Sequence, residues 1–133
     1  MAFDAPDNLQ AHFECYLIRS QGQTILVDTG IGTNDSNPGT IQGLLGGSVE
    51  GKLLSELATA GVTPGDIDIV FMTRLHPDHV GWNVNAGGTD PTATFPNARY
   101  IAHQANWDAF SARKDEEILG LDIGMRPLRH WNV

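Results

Sequence analysis

The chain has 133 residues, with 16 Asp and Glu against 8 Lys and Arg, and a formal charge of −8. This length allows one small domain with its own core, and the acidic balance disfavours nucleic acid as a partner, because phosphate binding needs a basic surface. No apolar stretch approaches the ~18 residues of a membrane span and no signal peptide is visible, so we expect a cytoplasmic protein without membrane contact.

The first predicted elements form a strand pair. Residues 13–19 alternate and are rich in bulky side chains, a turn follows at residues 20–22, and residues 23–28 predict the paired strand of a hairpin. The single cysteine, Cys15, excludes an intrachain disulfide, and its apolar surroundings predict a buried structural thiol. Residues 29–47 are rich in Gly, Asn, Ser and Pro and predict a long loop without a phosphate-binding motif.

A helix is predicted next, with Ser48 as its N-cap and Gly61 at its end. Its apolar residues fall on one face: Val49, Leu53, Leu54, Leu57 and Ala58. Residues 63–66 have the Thr…Asp spacing of a capped turn. Residues 67–72 are apolar except for Asp68, and this short apolar run predicts a central strand with no solvated face.

The remaining predicted elements repeat this order of strand and helix. Residues 83–94 are polar and predict a loop, residues 99–102 predict a strand, and residues 104–112 predict a helix with Trp107 and Phe110 facing inward. The order of helices and strands implies a layered α/β fold.

Chemistry is concentrated in the stretch that follows the central strand. His76, Asp78 and His79 place two imidazoles and a carboxylate within four positions, and a loop at a strand end can turn such groups toward one point. Neutral imidazole and carboxylate together suit zinc. Arg74 lies beside them, and a guanidinium neither loses its proton nor binds a cation. The alternative interpretation is a polar loop that caps the next helix, with Asp78 paired to Arg74.

The stretch from Thr73 to Gly81 resembles the metal loop of the metallo-β-lactamase-like hydrolases, His-x-His-x-Asp-His, with Arg74 in place of the first histidine. The segment TILVDTG at residues 24–30 is similar to the family's strand ending in Asp-Thr-Gly. The segment FPNARYI at residues 95–101 is similar to the strand after the metal loop. The resemblance covers roughly residues 13–112. The sequence of residues 78–83 is most similar to a branch of lactonase-like and organophosphate-hydrolase-like enzymes.

The resemblance implies one half of an αββα sandwich, in a single domain over residues 1–133 that is truncated relative to the family. It also implies metal-dependent hydrolysis of small ester-, lactone- or phosphoester-like substrates. A half sandwich leaves one face of its sheet uncovered, so we expect a homodimer or an aggregation-prone chain and not a clean monomer.

The resemblance further implies a ligand set. His76 belongs to one family metal, Asp78 and His79 belong to the other, Asp78 orients the attacking water, and Asp28 supports the loop through hydrogen bonds. Because Arg74 replaces a ligand and the later family ligands have no match, we expect one weakly held zinc or none, and impaired activity. The alternative is a non-catalytic remnant or an assembly subunit.

The remaining candidates are isolated residues. His12 is expected at the surface, and His103 is expected to cap or to pack at a strand-to-helix junction. His130 is a weaker candidate for a further ligand. Trp82 and Asn83 either line a substrate cleft or pack beside the loop.

Overall fold

The computed structural model describes residues 3–5, 8–9, 12–33, 51–85 and 92–112. Its strands, in chain order, are β1 (Phe3–Ala5), β2 (Asn8–Leu9), β3 (Tyr16–Ser20), β4 (Gln23–Val27), β5 (Ile69–Met72), β6 (Val84–Asn85), β7 (Thr92–Ala93) and β8 (Arg99–Ala102). Its helices are α1 (Leu53–Thr59), α2 (Pro77–Val80) and α3 (Gln104–Ser111), with a 3-10 turn at Pro64–Asp66.

Four of the described strands form one sheet in the order β3-β4-β5-β8. Strand β3 pairs antiparallel with β4, as the hairpin pattern predicts, whereas β4, β5 and β8 run parallel. Ile69 of β5 faces Ile25 on one side and Arg99 on the other, so β5 lies inside the sheet. Because parallel strands end at the same edge, the loops that follow β4 and β5 meet there.

The core lies between one face of this sheet and the helices. Leu26, Val70 and Tyr100 point into it from three neighbouring strands, and Leu57 of α1 joins them. Trp107 and Phe110 of α3 pack against the same cluster, as predicted. The described elements therefore form a layered α/β fold with helices on one side of a sheet.

The local signals for the end of α1 and the turn after it are confirmed. Gly61 has φ +71, a left-handed conformation that glycine adopts without steric cost and that ends the helix. The Asp66 carboxylate accepts hydrogen bonds from the Thr63 N–H at 2.8 Å and the Thr63 hydroxyl at 2.6 Å. These bonds form a capping box around the 3-10 turn.

Three expectations differ from the structure. The predicted strand at residues 13–19 begins only at Tyr16, and the predicted polar loop at residues 83–94 contains the short antiparallel pair β6–β7. The central strand was expected to have no solvated face, and this is wrong because Phe71 is 41% exposed. The apolar run of residues 69–72 indicates that both faces suit burial, but the helices in the described part of the chain pack against one face.

Several predictions lie outside the described residues, including the Ser48 cap and most of the loop at residues 29–47. Within the described part of the chain, no helix is long and apolar enough to cross a membrane.

Candidate metal centre

Asp28 forms the bend that follows β4 at the edge where the parallel strands end. Its N–H donates to the carbonyl of Phe71 at 2.8 Å, so the bend is anchored to β5. Its φ is +58, a region that few non-glycine residues adopt and that aspartate tolerates better than most. The bend directs the buried Asp28 carboxylate toward the loop after β5.

The Asp28 carboxylate holds that loop through three hydrogen bonds. Oδ1 accepts from the Thr73 N–H at 2.8 Å, and Oδ2 accepts from the Thr73 hydroxyl at 2.6 Å. Oδ2 also accepts from Nδ1 of His79 at 2.8 Å. Since a carboxylate is only an acceptor, Nδ1 donates this last bond, and Nε2 is the ring nitrogen left to bind a metal.

Asp78 and His79 lie together on α2. The Nε2 atom of His79 is 3.1 Å from Oδ2 of Asp78. Two ligands at about 2.0–2.1 Å from a tetrahedral zinc ion are about 3.3–3.4 Å apart. The pair is therefore spaced like two neighbouring ligands of one ion, and its donor chemistry fits zinc.

Arg74 reaches the same carboxylate from the other side. Its Nη2 is 3.3 Å from Oδ2 of Asp78, and the arginine side chain is 52% exposed whereas that of Asp78 is 24% exposed. The pairing considered as the alternative interpretation of the sequence is thus present. The Arg74–Asp78 ion pair does not exclude a metal site, because Nε2 of His79 also lies beside Oδ2 of Asp78.

His76 stands apart from this pair. It is the exposed N-cap residue of α2, its carbonyl accepts from the His79 N–H at 2.9 Å, and its side chain makes no capping bond. Over the ranges that the structure describes, no group of three His, Cys, Asp or Glu side chains could hold a metal ion. Two of the three expected ligands are brought together, and the metal role of each stays a prediction.

A second connection between the two loops runs through Thr29 and Asn83. The Thr29 N–H donates to the His79 carbonyl at 2.7 Å, and the Thr29 hydroxyl donates to Oδ1 of Asn83 at 2.9 Å. Asn83 is fully buried, so it packs inside the domain and does not line an open cleft. From the sequence, Thr29 was predicted only as part of a turn. Its bond to Asn83 could not be predicted, because the two residues are 54 positions apart and no local sequence pattern links them.

Glycine permits the close approach of these loops. The Gly81 N–H donates to the Gly30 carbonyl at 2.8 Å. A Cβ at Gly81 would lie 2.1 Å from the carbonyl carbon of Ile31, much closer than atoms can pack. The Gly81 that follows the metal loop in sequence is thus explained by the backbone crossing beside it.

Cys15 lies on the other side of Gly30, where a Cβ on that glycine would be 3.3 Å from Sγ. Burial, with a smaller contribution from the Asp28 charge, raises the pKa of the Cys15 thiol to about 11. The thiol is thus kept protonated near neutral pH, as expected for a structural cysteine.

The isolated residues have ordinary positions. His12 is exposed, and Nδ1 of His103 accepts from the Ala105 N–H at 3.1 Å, which caps α3 as predicted. Trp82 packs against the core cluster and is partly buried. His130 lies outside the described residues.

Comparison with known proteins identifies the family. A model of the metallo-beta-lactamase superfamily matches residues 14–131. The chain belongs to this superfamily. The resemblance predicted from the metal loop and its two flanking strands is confirmed.

Curated relatives are lactonases. An N-acyl homoserine lactonase from Bacillus sp is 31% identical over 116 residues, which cover 79% of this chain and 41% of that protein. The N-acyl homoserine lactonase AiiA of Bacillus thuringiensis subsp. kurstaki is 29% identical over 112 residues, covering 76% of this chain and 40% of that protein. The chain thus spans about two fifths of the length of the curated relatives that it matches.

Solved structures show the same fold. A probable metal-dependent hydrolase from Staphylococcus aureus matches with a TM-score of 0.62 at 31% identity, covering 73% of this chain and 34% of that one. AidC, a dizinc quorum-quenching lactonase in complex with a product, matches with a TM-score of 0.55 at 29% identity, covering 71% and 27%. The layered α/β arrangement predicted for the chain is therefore that of metallo-β-lactamase-fold proteins.

Proposed function

We propose that this chain is part of a metal-dependent hydrolase that cleaves lactones or related esters and phosphoesters, and that its activity is impaired by Arg74. The single observation that carries the proposal is the contact chain from Asp28 through His79 to Asp78. A buried carboxylate that orients a histidine, with a second carboxylate at the outer ring nitrogen, is the arrangement by which proteins fix metal ligands.

The residues have separate roles in this proposal. Nε2 of His79 and Oδ2 of Asp78 would hold the metal, which their chemistry suggests is zinc, and Asp28 orients His79 through its bond to Nδ1. When bound, the metal polarises the substrate and activates water for attack. Asp78 would orient the attacking water. His76 remains a candidate for a further ligand from the exposed N-cap of α2.

The substrate class comes from the relatives. Several are N-acyl homoserine lactonases, and one solved neighbour is a lactonase with its product, N-hexanoyl homoserine. We therefore propose a lactone with an acylated amine as the first substrate to test, with aryl esters and phosphotriesters after it.

The test starts with metal content. After purification in zinc-replete medium, we expect less than one zinc per chain, and Asp78→Asn and His79→Gln should each remove it. Asp108→Asn is the matched control, since Asp108 is an exposed carboxylate of α3 that bonds only Gln104 in the described structure. Zinc retained by both site variants, or two zinc ions in the unmodified protein, would contradict the proposed ligand pair.

Activity is measured next with N-hexanoyl homoserine lactone. We expect turnover well below the usual 1–10³ per second, abolished by chelation and by Asp78→Asn. Hydrolysis that survives chelation would contradict the metal-dependent mechanism.

A second candidate function, that of a non-catalytic assembly subunit, is favoured by the contact of Arg74 with Asp78. The two candidates differ in one result. If Arg74→His binds zinc and gains chelator-sensitive hydrolysis, the hydrolase is supported, whereas full zinc loading without hydrolysis supports the subunit.

A further inference from the structure

Four side chains form a continuous row across the candidate metal centre. Asp28 bonds Nδ1 of His79 at 2.8 Å, and Nε2 of His79 is 3.1 Å from Asp78. The same Asp78 oxygen, Oδ2, is 3.3 Å from the guanidinium of Arg74. Two carboxylates lie in the row, and the guanidinium of Arg74 is at its outer end.

The two ends of this row differ in how firmly they are held. Asp28 is buried, and its carboxylate accepts three hydrogen bonds besides being anchored through its backbone to β5. Arg74 is half exposed, and it joins the row through the ion pair with Asp78. Such a pair between exposed side chains is weak. The Asp28 end of the row is therefore held firmly, whereas the Arg74 side chain can leave Asp78 at little cost.

Arg74 and a metal ion would compete for the same atom. An ion bound between Oδ2 of Asp78 and Nε2 of His79 needs the oxygen that Arg74 now contacts. A guanidinium keeps its charge at any ordinary pH, so it repels a dication at short range. The long, exposed arginine side chain can relieve this repulsion by rotating into solvent.

We propose that Arg74 is a displaceable internal cation: it pairs with Asp78 when no metal is bound, and a divalent cation must expel it to bind at Asp78 and His79. This inference rests on the proposed function, because it takes Asp78 and His79 as the metal ligands. It assigns Arg74 a positioning role, that of setting how tightly the centre holds its metal and keeping Asp78 in place without one.

The expected signature is a change in zinc affinity that depends on charge. Arg74→Gln should tighten zinc binding at least tenfold, since it removes the competing charge and supplies no strong ligand. Arg74→Lys should bind zinc about as weakly as the unmodified chain, since it keeps the charge. Arg99→Gln is the matched control, because Arg99 begins β8 at the edge of the sheet away from the centre.

The experiment measures zinc dissociation constants of the full chain by competition with a chromogenic chelator, at two salt concentrations. Repulsion between Arg74 and the ion weakens with screening, so the difference between Arg74→Gln and the unmodified chain should shrink as salt rises. Equal affinities for Arg74→Gln and the unmodified chain, with Asp78→Asn weaker than both, would overturn the displaceable cation while leaving the ligand pair intact. If Asp78→Asn and His79→Gln bind zinc as well as the unmodified chain, both the ligand pair and this inference fail.

A metal-free readout tests the second half of the role. In chelator, amide hydrogen exchange of residues 74–79 should be faster in Arg74→Gln than in the unmodified chain, and added zinc should remove the difference. The Arg99→Gln control should exchange like the unmodified chain in this segment. Exchange that is unchanged by Arg74→Gln in chelator would show that Arg74 does not hold the loop.

Discussion

Asp28 joins two demands in one residue, because it adopts a left-handed backbone conformation and its carboxylate accepts three hydrogen bonds. Glycine would adopt this backbone conformation easily but could not bond Thr73 and His79. Alanine would adopt the conformation poorly and would also lose those bonds. Asparagine tolerates the conformation and keeps an acceptor for Thr73.

This division predicts an order of stability among variants. Asp28→Asn should lower the free energy of unfolding by about 1–2 kcal/mol, and Asp28→Ala by at least about 2 kcal/mol, since Thr73 and His79 lose their acceptors. Asp28→Gly should fall between them, because it relieves the backbone and loses the same bonds. Urea denaturation measures the order, and a less stable Asp28→Asn than Asp28→Ala would refute it.

Cys15 gives a prediction in the alkaline range. Its pKa is raised from 9.0 to about 11, so near pH 8 the folded chain has roughly 100-fold less thiolate than the unfolded chain. Alkylation by iodoacetamide at pH 8 should be slower by about that factor in the native protein than in urea. Equal rates in both states would show that the thiol is not shielded.

The sign of the linked stability follows from the same shift. The folded state prefers the protonated thiol, so this contribution to stability is complete below pH 9 and is lost as the pH rises toward 11. Tyr100 acts in the same direction, because burial raises the pKa of its hydroxyl from 10.0 to about 12.

At the scale of elements, the metal loop and the bend after β4 cross at Gly81 and Gly30. Gly81→Ala should destabilise the protein severely, by about 1–3 kcal/mol or more, since its Cβ would collide with the backbone of Ile31. Gly65→Ala is the control, because a Cβ there meets its nearest neighbour at 3.6 Å. Thermal unfolding followed by circular dichroism compares them, and similar midpoints would contradict the crossing.

The elements were predicted from sequence where the signal is local. The Thr63–Asp66 capping box, the glycine that ends α1 and the cap at His103 depend on residues within a few positions, and all three are confirmed. Strand β8 was predicted with its observed bounds.

The connections of the site could not be read from sequence in the same way. Thr29 meets Asn83 across 54 residues, and Asp28 meets His79 across 51, so no periodicity links them. Only the family resemblance pointed to Asp28. The sequence did not indicate that His76 would be separated from Asp78 and His79. Its position depends on where α2 begins, since His76 is the N-cap residue of that helix.

At the scale of the molecule, the described residues include exposed apolar side chains on one face of the sheet. Tyr16 and Ile18 of β3 are 58% and 45% exposed, and Phe71 of β5 is 41% exposed. Four strands spaced by about 4.8 Å, each roughly 15 Å long, give a face of about 300 Å². Two such faces bury less than the ~1,200 Å² of a stable interface, so self-association through this face alone is weak.

We therefore expect a homodimer that forms with rising concentration, visible by light scattering above the 14.4 kDa of one chain. Ile18→Glu should abolish it, because the charge lies on that face of the sheet. Ala105→Glu adds the same charge on exposed α3 and should leave it unchanged. A monodisperse single-chain species at every concentration would contradict the expectation.

The parallel pairing of β4 with β5 also sets the order in which the protein can be built. Ile25 pairs with Ile69, so the chain must close a long loop before these strands meet, whereas β3 and β4 join through a tight turn within microseconds. At about 5–20 residues per second of synthesis, the 51 residues between Asp28 and His79 separate the two partners by roughly 3–10 s. Until then the Asp28 carboxylate lacks its partners, because Thr73 and His79 follow it by 45 and 51 residues.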